Sequence, residues 1–210
     1  MRFNSMYKNI LFLLIAFVGA NALAAIMPYR GEPPHIELSA TQRAQLEKFE
    51  PVYPPITDEG NSGGGQVVFR VKAPPAVVWD VINDFPNYPK YNGDVYSSEY
   101  YSPKQGNFIY VKFVAKKFFV TVNWHVKHNY PGFKKGWGTW QLDKSKENDL
   151  TECVGFWRVD PVPGTNYSDV SYSVNLASDG FFLNLFKGML ISEGVKKATQ
   201  WLKKEAENRV

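Results

Sequence analysis

The side chains of this 210-residue chain whose types could do chemistry are two histidines, an arginine, a cysteine and a pair of aspartates. His125 and His128 stand three apart in a run, residues 118–128, that reads as a strand. Alternate strand residues point to opposite faces, so the pair cannot share one metal ion without a bulge. His125 falls on the face of Thr121 and Asn123. His128 falls with Val122, Trp124 and Val126. Either one, facing a pocket, would be an acid/base candidate, and either could instead be a hydrogen-bonded structural histidine. Arg158 shares a strand face with Asp160, opposite Trp157 and Val159. Turned inward, its guanidinium would neutralise an acidic head group or polarise a carbonyl. The aromatic pair is the better inward choice, which makes Arg158 an outer-face charge. Asp80 and Asp84 lie one helical turn apart, as paired carboxylates can. Asp84, however, stands where a following short helix needs an N-cap, and Asp80 where solvent is expected. No catalytic residue is expected; if there were one, His125 and Arg158 are the candidates. Cys153 is the only cysteine, which excludes an internal disulfide and a thiolate zinc cluster; it reads as a buried packing residue. No His/Asp/Glu cluster has metal-ligand spacing, and no nucleophile elbow, Walker loop or dinucleotide fingerprint occurs. No metal and no cofactor is expected.

The elements that must hold these residues follow from composition and periodicity. Hydrophobic content of 44% and aromatic content of 16% exclude a disordered or collagen-like chain. Beyond residues 10–20 no apolar run approaches the length of a membrane span. Arg2 and Lys8, the short apolar run 10–18 and Ala22-Leu23-Ala24 read as a secretory signal peptide over residues 1–24, with an uncleaved anchor as the alternative. The mature chain is then expected to be periplasmic or secreted. Residues 25–65 form a Pro/Gly-rich arm with a short helix over 39–49, capped by Ser39, and a flexible linker over 58–65. The arm carries a net charge of −3 and residues 66–210 a net charge of +5. In this second part, alternation predicts a strand over 66–71 and Pro74-Pro75 opens a helix. Strands are predicted near 95–102, 107–115, 118–128, 136–142, 151–160 and 168–176, with turn signals between them. A final helix is predicted over residues 180–207.

That helix has an apolar face, including Phe182, Phe186, Met189 and Trp201, which must be buried against something. The concave side of a bent antiparallel sheet is the obvious partner. The strands carry more aromatic surface than one helix covers. Tyr110, Trp124, Trp140, Trp157 and Tyr172, with Phe182, Phe186 and Met189 from the helix, are the expected ligand-contacting residues if a cavity remains between the layers. A solid aromatic core is the alternative, and composition does not choose between them.

Residues 66–91, with Ala73-Pro74, Val78-Trp79, Asp84-Phe85 and Tyr88-Pro89, resemble the opening of the START-like SRPBCC superfamily. The closer resemblance is to its coenzyme-Q-binding and polyketide cyclase/dehydrase branch. Gly138-Thr139-Trp140 and the segment from Gly155 to Pro161 fall where such proteins have late strands. The lead-in around residues 46–53 is similar to that of exported bacterial members. The resemblance implies an α+β helix-grip fold, with a bent antiparallel sheet wrapped around the C-terminal helix and a lipid-like ligand between them. The superfamily includes carriers, sensors and enzymes, so the fold does not settle activity.

Between Glu99 and Asp143 there is no acidic residue, while seven lysines occur there, Lys116-Lys117 directly before Phe118-Phe119. Basic residues beside exposed aromatics suit transient contact with an anionic membrane surface; a solvated sheet face is the plainer reading. After Ala24 the chain carries 22 basic against 20 acidic side chains, too even a balance to suggest nucleic acid. The expectation is an exported, non-catalytic binding or carrier protein for a quinone, acyl chain or polyketide-like ring. The rivals are a cyclase/dehydratase-type enzyme using the same cavity and a membrane- or partner-docking module.

Overall fold

The computed structural model of the protein describes residues 28–55, 63–117, 120–178 and 195–210. The expected signal peptide, and Phe182, Phe186 and Met189 of the expected long helix, lie outside the described residues. Strands β1 (Gly63–Val71), β2 (Ser97–Gln105), β3 (Phe108–Lys117), β4 (Val120–Asn129), β5 (Trp137–Leu142), β6 (Glu152–Pro161) and β7 (Ser168–Ala177) form one antiparallel sheet. The order is β1-β7-β6-β5-β4-β3-β2. Short turns make β2 to β7 a meander, as the strand spacing predicts, and β1 returns to pair with β7.

Among the described residues, four α-helices accompany the sheet: α1 (Ala40–Glu47), α2 (Pro75–Ile82), α3 (Tyr88–Tyr91) and α4 (Val195–Asn208). Proline at the first position of α2 costs no hydrogen bond, and Val78, Trp79, Val81 and Ile82 bury its apolar face. On α4, Val195, Thr199, Leu202 and Ala206 recur at intervals of three and four and are buried, with α2 and β1 as neighbours. Its C-terminal end is tied down by charged side chains. Lys203 donates to the Arg70 carbonyl at 2.8 Å, and Arg209 reaches the Asp84 carboxylate at 2.7 Å. This is the helix-grip arrangement.

Two local expectations are corrected. Gly63, Gly64 and Gly65 are strand, paired with Leu176, Asn175 and Val174. Their composition reads as linker, but β7 offers a full set of backbone partners, and such pairing overrides weak strand propensity. Asp84 does not cap the 3-10 turn Phe85–Asn87 through its side chain. Its carboxylate accepts instead from the Asn87 amide at 2.7 Å and from Arg209. Burial pushes the Asp84 pKa up, but these hydrogen bonds hold it below the usual range.

The arm folds back over the outer face of the sheet. Ser39 and Gln42 form a reciprocal capping box on α1. Val52 and Val68 exchange backbone hydrogen bonds of 2.9 Å, and Leu46, Val52 and Val68 make a small second core. Tyr29 meets Phe156 edge-on at 5.2 Å. Strand β6 is consequently buried on both faces from Cys153 to Val159.

Candidate functional site

Register decides which strand residues face the helices. Phe113 pairs with Trp124, Val111 with Val126, Trp140 with Gly155, Trp157 with Tyr172 and Cys153 with Leu176, all on the inner face. These side chains do not fill the space beneath the helices. A cavity of about 210 Å³ remains, walled by Phe113, Ala115, Trp124, Val126, His128, Trp140, Cys153, Trp157, Tyr172, Val174 and Leu176 of the sheet. Phe85, Tyr88, Asn92, Asp94 and Val95 of the β1–β2 crossover, with Trp201 of α4, are the other described residues of the lining.

The rings are held by one another. Trp140 stacks on Tyr172 at 5.6 Å, Trp157 lies 4.3 Å from Tyr172, Phe113 stacks on Trp124 at 5.4 Å, and Tyr88 lies 4.8 Å from Trp201. Gly155 is required for this wall. A Cβ there would overlap both the Trp140 indole and the Ser173 carbonyl, so only glycine lets Trp140 lie across β6.

Three groups on the described sheet side of the wall, Cys153, Tyr172 and His128, can carry a proton, and burial sets the state of each. It pushes the Cys153 thiol up to about 12, against a hydrogen bond from Trp140, and raises the Tyr172 phenol as well. It pulls His128 down to about 3. At neutral pH all three are uncharged.

Of the expected site residues, Trp124, Trp140, Trp157 and Tyr172 come together as the cavity wall. Tyr110 does not. It pairs with Lys127 on the outer face, and its hydroxyl donates to Gln105 at 3.3 Å, because residue 110 alternates with the inward Val111. His125 also lies outside the cavity. It pairs with Lys112, its Nδ1 lies 3.3 Å from Asn148 Oδ1 and 3.1 Å from the Glu147 carbonyl, and its ring meets Tyr101. Arg158 is on the outer face too, but buried rather than solvated. It donates to Glu32 at 2.6 Å and to the Pro33 carbonyl at 3.2 Å, with Asp160 at 3.4 Å. The arm covers it. Neither catalytic candidate reaches the cavity.

His128 does reach it. Alternation already places it with Trp124 and Val126, so its inward direction is legible; its lack of a partner is not. Phe85, Tyr88 and Asn92 come from turns and short helices, where no periodicity marks a face. Outside the cavity, Lys116 lies 3.3 Å from the centre of the exposed Tyr96 ring and Lys127 lies 4.1 Å from that of Phe108.

The family of polyketide cyclases, dehydrases and lipid-transport proteins has a sequence model that matches residues 71–202. The chain belongs to this family. Solved structures agree in fold. The chain is similar to an aromatase/cyclase from Streptomyces sp. R1128 (12% identity, 70% of this chain and 95% of that one, TM-score 0.60). It is similar to a STAR-related lipid transfer protein from Xanthomonas axonopodis (14% identity, 73% and 98%, TM-score 0.57). It is also similar to a START superfamily protein from Mycobacterium smegmatis (12% identity, 70% and 99%, TM-score 0.56). No curated protein matches the sequence. The matched span of this polyketide cyclase and lipid-transport domain runs from the end of β1 into α4 and so includes all of the described cavity lining.

Proposed function

We propose that the protein binds one apolar, lipid-like molecule between sheet and helices and releases it unchanged, as a carrier. The observation that carries this reading is an aromatic-walled cavity in which, among the described residues, no buried wall side chain is poised to move a proton at neutral pH. General acid–base catalysis works best with a pKa near the operating pH. His128 at about 3 is a feeble base, and Cys153 and Tyr172 stay protonated. The carboxylate in the lining, Asp94, is exposed. Family membership supports a hydrophobic ligand and leaves both carriers and cyclases open; the chemistry of the wall favours the carrier.

Native mass spectrometry of the purified protein, followed by organic-solvent extraction, tests this. The expected result is one apolar molecule per chain, recovered with unchanged mass after incubation. A bound compound that returns chemically altered would make the protein an enzyme. A ligand-free protein that takes up neither quinone nor acyl-chain probes would sink the proposal. The carrier is proposed to act outside the cytoplasm, on the strength of Ala22-Leu23-Ala24. N-terminal sequencing of the expressed protein should begin at Ala25, and a chain retaining residues 1–24 would contradict export by cleavage.

A further inference from the structure

His128 projects from β4 opposite Ile109 and Trp140 and is 5% exposed. Its ring is surrounded by Phe85 at 4.7 Å, Tyr130 at 5.3 Å, and Phe113 and Trp140 at 6.1 Å, none of them charged. Neither Nδ1 nor Nε2 has a hydrogen-bond partner among the described residues. A neutral imidazole carries one N–H donor and one acceptor nitrogen, and leaving both unmade in an apolar interior is costly. Trp79 Nε1, Ser98 Oγ, Tyr130 Oη, Arg158 Nε and Ser178 Oγ are also buried without a hydrogen-bond partner, but those residues do not line the cavity. His128 does, so a molecule in the cavity can supply what the fold leaves out.

The lining also limits that molecule's charge. It contains no lysine or arginine among the described residues, and burial keeps His128 neutral. A carboxylate brought inside would be stripped of water with no cation to meet it, and an ammonium would find no buried anion. A pure hydrocarbon would fill the space and leave the imidazole unsatisfied. We infer that the cargo is an uncharged, oxygen-bearing molecule whose hydroxyl or carbonyl group hydrogen-bonds His128, and that free acids and amines are rejected. This rests on the carrier reading and narrows it: His128 sets specificity and does no chemistry. Sites that hydrogen-bond a ligand discriminate against analogues lacking the group, because their own polar atoms are then left unpaired.

Four bicyclic probes separate the cases: naphthalene, 2-naphthol, 2-acetylnaphthalene and 2-naphthoate, titrated calorimetrically at pH 7. The alcohol and the ketone are expected to bind about tenfold tighter than naphthalene. The acid is expected to bind at least about tenfold more weakly than the alcohol. In His128→Phe, the alcohol and ketone fall to the level of naphthalene, whose own affinity is retained. Should that variant not fold, the imidazole ¹⁵N signals of the unaltered protein give a second readout, shifting with 2-naphthol and not with naphthalene. Equal binding of all four probes, tightest binding of the acid, or an imidazole signal blind to 2-naphthol overturns this inference while the carrier reading stands. Failure of every probe to bind overturns both.

Discussion

His125 and His128 occupy one strand, three residues apart, in opposite surroundings. On the outer face His125 has Asn148 and Glu147 within hydrogen-bond distance, and Arg158, farther along the sheet, is held by Glu32, Pro33 and Asp160. On the inner face His128 is buried among aromatic rings with both nitrogens unpaired. The outer face spends its polar groups on holding the arm and the loops. Among the described residues of the cavity lining, His128 is the buried polar side chain left without a partner. A satisfied polar side chain marks structure, and an unsatisfied one lining a cavity marks a place for a ligand.

The most disruptive way to probe this contrast is at Gly155. Gly155→Val would drive a side chain into the Trp140 indole and the Ser173 backbone, with an expected loss of about 3 kcal/mol in urea unfolding. The cavity wall should distort with it, visible as altered tryptophan fluorescence. A variant as stable as the parent would mean that the Trp140–β6 contact is loose.

The next effect is pH-dependent. The unfolded chain takes a proton on His128 near the ordinary value of 6.5, while the native protein takes it only near 3. Between these values the unfolded state binds more protons. The stability gained from keeping His128 neutral is therefore complete above pH 6.5 and drains away as pH falls. The expected slope between pH 6.5 and 4.5 is about 1 kcal/mol per pH unit. It should flatten markedly in His128→Phe, leaving the shallower share of carboxylates such as Glu207 toward pH 4.5, and persist in His125→Ala, as melting curves across that range would show. An identical slope in all three proteins would place the His128 imidazole in water.

On the outer face, Glu32→Ala should cost about 1–2 kcal/mol by leaving the buried Arg158 guanidinium underpaired, discounted because Glu32 is itself more than half exposed. Affinity for apolar probes should not change. A loss of binding would show that the arm shapes the cavity. The smallest effect is expected at His125→Ala, under about 1 kcal/mol with binding unchanged. A large loss of binding there would erase the distinction between the two histidines.

How much of this is legible in the sequence differs between the same two faces. Strand alternation carries the inner wall: Trp124, Trp140, Trp157, Tyr172 and the direction of His128 all follow from it. The same rule excludes Tyr110, which alternates with Val111 and Phe113, so aromaticity alone overstates its case. The apolar stretch around Cys153 to Val159 lacks alternation, as a strand buried on both faces should. What covers its outer face is the arm, and that contact joins residues more than a hundred positions apart. Long-range partnership of this kind, Arg158 with Glu32 or Gly63 with Leu176, leaves no local periodicity to read. The same holds for Phe85 and Tyr88, whose inward direction is set by a turn and a four-residue helix.

The central claim is that the hollow behind the inner face is where a ligand sits. Ala115 lines it from β3, opposite Val122, and Ala115→Trp would occupy it. Calorimetric titration with naphthalene should show one site per chain in the unaltered protein, unchanged affinity in Glu32→Ala, and at least about a hundredfold weaker binding in Ala115→Trp. Equal binding to Ala115→Trp and the unaltered protein would put the ligand somewhere else and contradict the account.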